Sequence, residues 1–172
     1  MNAFENCTGL TSVSIGNSVN AMDMGAFKDC TSLKNVTIAY GTTVIGESAF
    51  DGCTSLASVS IPNSITSIGS QAFDDCKKLT NVTIPNSVKT IGSNAFYNCT
   101  GITQLSLSEG LVTIGSDAFQ NNTGIKKLVI PDSVTEIGWE AFKGCTNLAT
   151  VSIGNSVSKM ENGVFRDCSS LV

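Results

Sequence analysis

Phenylalanine keeps a fixed beat along this chain. All eight Phe, at 4, 27, 50, 73, 96, 119, 142 and 165, recur at a constant 23-residue interval. A period of about 20–50 residues is the signature of a stacked repeat architecture, so this interval limits the fold more than any other feature. Cys follows each Phe by three positions, at 7, 30, 53, 76, 99, 145 and 168. The one gap in that column is filled by Asn122. Ala precedes every Phe except the last, which follows Val164.

One unit, read from Phe73, runs FDDCKKLTNVTIPNSVKTIGSNA. Leu79 opens a stretch in which Val82 and Ile84 alternate with Asn81 and Thr83. Alternation with a period of two predicts a strand with one buried face. Pro85-Asn86-Ser87 then makes a corner, since Pro donates no hydrogen bond and suits a strand end. Val88-Lys89-Thr90-Ile91-Gly92 predicts a second short extended piece turning at Gly. Ser93-Asn94-Ala95-Phe96 reads as one helical or 3₁₀ turn with a polar cap and an inward aromatic. So small a unit cannot bury its own apolar residues, and stacking each coil on the next does it instead. The expected result is a parallel sheet and a continuous Phe spine.

Bulk properties exclude several functions. The chain is 41% hydrophobic and 14% charged, ordinary values for a chain that builds a core. A net charge of −4 with only 10 Lys and Arg argues against nucleic acid as a partner. No stretch approaches the roughly 18 apolar residues of a membrane span, and the N-terminus carries no signal sequence. With no His and no glycine-rich phosphate loop, no catalytic, cofactor or metal site is expected. The acidic pair Asp74-Asp75 falls on the turn beside Phe73, where solvation accounts for it. The seven Cys are an odd number, and no two lie closer in sequence than one full repeat. Metal sites use close pairs, and side chains pointing inward in parallel are poorly placed for disulfides. The Cys column therefore reads as small buried side chains holding backbone groups at a corner, a task Asn122 also performs.

The segments Cys76-Lys-Lys-Leu79-Thr-Asn-Val82-Thr-Ile84-Pro85 and Ser87-Val88-Lys-Thr-Ile91-Gly92-Ser-Asn-Ala95-Phe96 resemble the BspA-like leucine-rich repeat, also called the Treponema pallidum type. The resemblance covers essentially the whole chain. It implies an α/β fold: a right-handed leucine-rich-repeat solenoid of 23-residue coils with a parallel β-sheet on one face. It also implies an extracellular or cell-surface protein of a bacterium or protist, mediating adhesion or other protein interactions. Departures are modest: Ala39-Tyr40-Gly41 replaces the Pro-x-Ser corner, Leu105 and Leu107 replace Val and Ile, and Met22-Asp23 replaces Ile-Gly.

In a solenoid the buried positions are dictated by the fold, so specific function belongs to the outward ones. Most outward strand residues are small and polar, which a plain exposed strand also tolerates. Breaks in the repeat single out Tyr40, Tyr97, Gln104, Lys126, Lys127, Val129 and Trp139 as candidate partner-binding residues. Exposed aromatics serve as interface anchors, although single scattered ones are ordinary. Two readings stand together: a binding module for a protein, such as a host matrix protein, or a glycan, and a uniform spacer with no specific ligand. The repeats amount to about seven and a half over 1–172, read as one solenoid. The chain stops inside a coil at Leu171-Val172 without polar capping units. Solenoids normally carry such caps, so a fragment of a longer protein is expected, and end-to-end self-association with it.

Overall fold

The computed structural model describes residues 1–172. Fourteen strands alternate between long and short, one pair per repeat. The long strands are β1 (Ser12–Ile15), β3 (Asn35–Ile38), β5 (Ser58–Ser60), β7 (Asn81–Ile84), β9 (Gln104–Leu107), β11 (Lys127–Ile130) and β13 (Thr150–Ile153). The short ones are β2 (Ala21–Met22), β4 (Val44–Ile45), β6 (Ser67–Ile68), β8 (Thr90–Ile91), β10 (Thr113–Ile114), β12 (Glu136–Ile137) and β14 (Lys159–Met160). Every pairing is parallel and joins equivalent positions of successive coils, as Asn35 with Ser58 and Ile68 with Ile91 show. Like therefore stacks on like. The long strands keep the expected alternation: in β7, Val82 and Ile84 are buried while Asn81 and Thr83 are exposed.

The short strands form one seven-stranded sheet, but the column of long strands is broken. It divides into β1-β3-β5, β7-β9 and β11-β13. The fold is a parallel β-solenoid without helices, so the α/β expectation is corrected. The turn through Phe96 shows why. Asn94 and Asn98 adopt left-handed conformations, with φ of 57° and 56°, which interrupts any helical run. The backbone N–H groups of Ala95 and Tyr97 donate within the coil, to the carbonyls of Gly92 and Asn94. Those of Asn94, Phe96 and Asn98 donate outward, to Ser116, Ala118 and Gln120 of the next coil. Alternate amides are thus spent on stacking, which a helix could not do because it keeps its amides inside one segment. The position before each Cys is left-handed in every coil and holds only Asn, Asp or Gly, the residues that tolerate it best.

A single cluster of 42 buried residues forms the core. The Phe rings make the expected spine, neighbouring rings lying between 5.0 and 5.7 Å apart and inclined by no more than 15°. Centroid separations this wide between near-parallel rings mean offset stacking, the favourable arrangement. Rings near the ends are less covered: Phe4 is 48% exposed, whereas Phe50 to Phe142 are buried.

The Cys column lies beside this spine. Cys30, Cys53, Cys76, Cys99, Cys145 and Cys168 are buried and each Sγ donates to the carbonyl of the Phe in the preceding coil, at 3.0–3.3 Å. Asn122 takes the same place, its Nδ2 lying 2.7 Å from the Phe96 carbonyl. Most of these carbonyls also accept the backbone amide of their own coil's Cys, as Phe27 does from Cys30. Burial pushes the Cys53 thiol up to about 12, so it stays protonated and can donate. The ladder role expected of the cysteines is the one these bonds describe.

Candidate interaction surface on the strand face

The long strands present their outward side chains on one face. Over most of that face these are Ser, Thr and Asn, a surface with little to hold a partner. Between β9 and β11 it changes. In most adjacent coils the residue before the long strand donates its amide across the coils: Lys34 to Thr11, Ala57 to Lys34, Thr103 to Thr80 and Ala149 to Lys126. The equivalent bond from Lys126 to Thr103 is missing. The Lys126 N–H and the Thr103 C=O are left without backbone partners, and both residues are exposed. The rung from Thr80 to Ala57 is absent as well, but Ala57 and Thr80 line no depression.

At the β9–β11 break a shallow depression of about 360 Å³ opens, lined by residues of β7, β9, β11 and the segments leading into them. Asn81, Thr83 and Gln104 supply polar side chains, Leu105 and Val129 supply apolar surface, and Lys126 and Lys127 supply charge. Val129 is 50% exposed, unusual for an aliphatic residue on an otherwise polar strand face. No Asp or Glu lines the depression, and neither lysine has an acidic partner. Lys28, Lys77, Lys143, Lys159 and Arg166, by contrast, are all ion-paired. Lys126-Lys127 is the only adjacent lysine pair in which neither member is neutralised.

The structure brings four of the seven candidate residues together here: Gln104, Lys126, Lys127 and Val129. It places the aromatics elsewhere. Tyr40 is 73% exposed at the corner after β3. There the following Gly41 has φ 139°, and a Cβ on it would lie 2.3 Å from the Asn17 carbonyl oxygen. Tyr97 is half-buried in the Phe turn, its hydroxyl 3.5 Å from Asn121 Nδ2. Trp139 is 54% exposed just after β12. None of the three lines the depression. Sequence reasoning does not single out Thr103 and Leu105 as surface. The substitution of Leu105 into a Val column is the visible signal, and the structure leaves Leu105 partly exposed.

A second departure lies on the Phe turn. Asp74 is not the simply solvated carboxylate expected from its position. Partial burial, with Asp51 and Asp75 nearby, pushes its carboxyl up to about 6. Lys28 sits 2.7 Å from Asp51 and leaves Asp74 without a cation of its own.

Parallel stacked coils, one per repeat, with an inward Leu-Val-Ile pattern and a polar strand face, define a leucine-rich-repeat β-solenoid. More narrowly, this chain belongs to the BspA type leucine rich repeat region, whose pattern matches residues 1–100 and 43–172 with 6 copies. It is similar to the T. pallidum leucine rich repeat protein TpLRR, with 29% identity over 95% of this chain and 78% of that one and a TM-score of 0.87. A leucine-rich repeat protein from Bacteroides ovatus is 27% identical, covering 98% of this chain and 56% of its own, with a TM-score of 0.56. The pneumococcal vaccine antigen PcpA shares the fold at 19% identity, over 94% of this chain and 55% of its own, with a TM-score of 0.61. This chain thus spans just over half the length of the latter two. No curated protein matches it. No helix is long and apolar enough to cross a membrane.

Proposed function

We propose that this chain is a protein-interaction module of the adhesive kind, acting outside the cell, and that it binds through the strand-face depression between β9 and β11. The observation that carries this reading is the convergence of Gln104, Lys126, Lys127 and Val129 on one opening in an otherwise bland face. A uniform spacer has no use for such a cluster, whereas interface energy concentrates where a few distinctive side chains meet. Membership of a leucine-rich repeat family supports a binding role, and the extracellular setting rests on the resemblance to BspA-like proteins.

The test is a binding series against immobilised extracellular-matrix proteins and glycans. The original chain is compared with a Gln104→Ala/Val129→Ala variant and with Trp139→Ala. Saturable binding weakened about tenfold or more by the first variant and kept by the second supports the depression, since truncating interface centres has effects of this size. Loss with Trp139→Ala alone moves the site to the turn after β12. No binding by the folded chain favours the spacer reading.

A further inference from the structure

The geometry points to the chemical class of the partner: an extended, acidic segment of a protein, laid across the β9–β11 opening with its carboxylates on Lys126 and Lys127. This rests on the proposal that the depression is the binding site, and deepens it.

Three independent features converge. The first is charge. The molecule carries a net −4, and its other basic side chains are mostly matched by nearby carboxylates, as in Lys28–Asp51 and Lys143–Glu140. The Lys126-Lys127 pair has no such partner, and no acidic side chain lines the depression beside it. Two adjacent ammonium groups left open on an acidic protein are complementary to an anion. Of the unpaired lysines, only these two are adjacent in sequence and share a depression.

The second is the missing rung. The open Lys126 N–H and Thr103 C=O are one donor and one acceptor at the same gap. The gap lies between two stacked coils, and a peptide group laid over it offers an acceptor to the N–H and a donor to the carbonyl. An ionised phosphate offers oxygens to the donor but no hydrogen to the carbonyl, whereas a sugar hydroxyl can serve either, so the separation from sugars rests on the floor of the depression.

The third is the floor. Leu105 and Val129 give the depression an aliphatic strip, which suits the alternate side chains of an extended peptide. Sugars commonly stack on aromatic rings, and the exposed aromatics Tyr40 and Trp139 both lie outside the depression.

The experiment uses the full chain and four probes: a synthetic extended peptide alternating Glu and Val, its Gln-for-Glu and Lys-for-Glu counterparts, and a sulfated oligosaccharide. Affinity is read by fluorescence anisotropy at several salt concentrations. The expected result is binding of the Glu peptide that weakens as salt rises, with the Gln peptide about tenfold weaker. Lys126→Gln/Lys127→Gln should lose a similar factor. Lys34→Gln/Lys78→Gln, which removes two unpaired lysines away from the depression, should keep full affinity. Lys126→Glu/Lys127→Glu should bind a Lys-for-Glu peptide in preference. Circular dichroism confirms that each variant is folded. Equal binding of the Glu and Gln peptides, or equal loss in both lysine pairs, overturns the inference. So does a preference for the oligosaccharide that depends on Lys126 and Lys127. If the chain binds matrix protein through the depression but ignores the Glu peptide, this inference fails and the proposed function stands. If it binds neither, both fall.

Discussion

At the scale of single residues, the chain shows how one column of the repeat tolerates different chemistry under the same constraint. Six thiols and one amide make the same inward bond to a Phe carbonyl, although Asn122 leaves its Oδ1 buried without a partner. Column neighbours also act on one another, and Asp74 is the case with a measurable consequence. Its folded-state carboxyl titrates near 6, above its ordinary value of 3.8. Between those values the folded chain holds more proton on Asp74 than the unfolded chain does. This group therefore makes stability fall as pH rises through that window, and its effect levels off above it. Asp74→Asn should flatten that part of the profile and raise the melting temperature at about pH 7.5 more than at about pH 5. Thermal melts by circular dichroism at the two pH values check it. Identical profiles for the two proteins would show that Asp74 is more solvated than its surroundings indicate.

At the scale of the element, the join between the short strand and the Phe turn sets how closely coils stack. Gly46, Gly69, Gly92, Gly115 and Gly138 line up there. Gly92 needs no left-handed backbone; it needs space, because a Cβ would lie 2.5 Å from the Ser70 nitrogen and 2.7 Å from the Gly69 carbonyl carbon. Both obstacles are backbone and cannot rotate away. Gly92→Ala should cost about 1–3 kcal/mol, the usual range for overpacking. Gly16→Ala, where a Cβ meets nothing within 4 Å, should be close to neutral. Urea unfolding of the two variants decides the matter, and equal effects would mean that the coils separate there at no cost. The long-strand column behaves differently. It is interrupted between β5 and β7 and again between β9 and β11 while the short-strand sheet runs through all seven coils. The short strands and Phe turns therefore keep the stack continuous across both breaks in the long-strand column.

The whole molecule is a one-dimensional stack, in which each coil is stabilised chiefly by its two neighbours. Position along the stack then matters as much as residue type. Phe73 is buried between Phe50 and Phe96, with centroid separations of 5.3 and 5.0 Å. Phe4 has one ring neighbour and is half exposed. Phe73→Ala should cost about 3–5 kcal/mol, the range for a buried aromatic, and broaden the transition as coils on either side uncouple. Phe4→Ala in the same chain should cost less than half as much. Denaturant unfolding followed by circular dichroism gives both values, and equal losses would argue against a nearest-neighbour stack.

Much of this was written in the sequence, because a strict repeat makes each residue's environment a consequence of its place in the period. One Phe per repeat set the coil length and the spine, the Val-x-Ile alternation set the inward face, and Asn122 in the Cys column disclosed what that column does. The Asn, Asp or Gly before each Cys carried the left-handed corner too, yet the same residues read as a helical turn. Local composition fits both, and only the hydrogen bonds to the next coil separate them. The interaction surface shows the sharper limit. Gln104, Lys126, Lys127 and Val129 stood out as breaks in the pattern, and so did Tyr40, Tyr97 and Trp139. Which of them share a surface depends on where each lies around the coil and on a rung of the ladder that fails to form at Lys126. That failure is a property of two coils packed together. It belongs to the tertiary structure because a backbone hydrogen bond between coils depends on their separation, and no single residue in either coil specifies it.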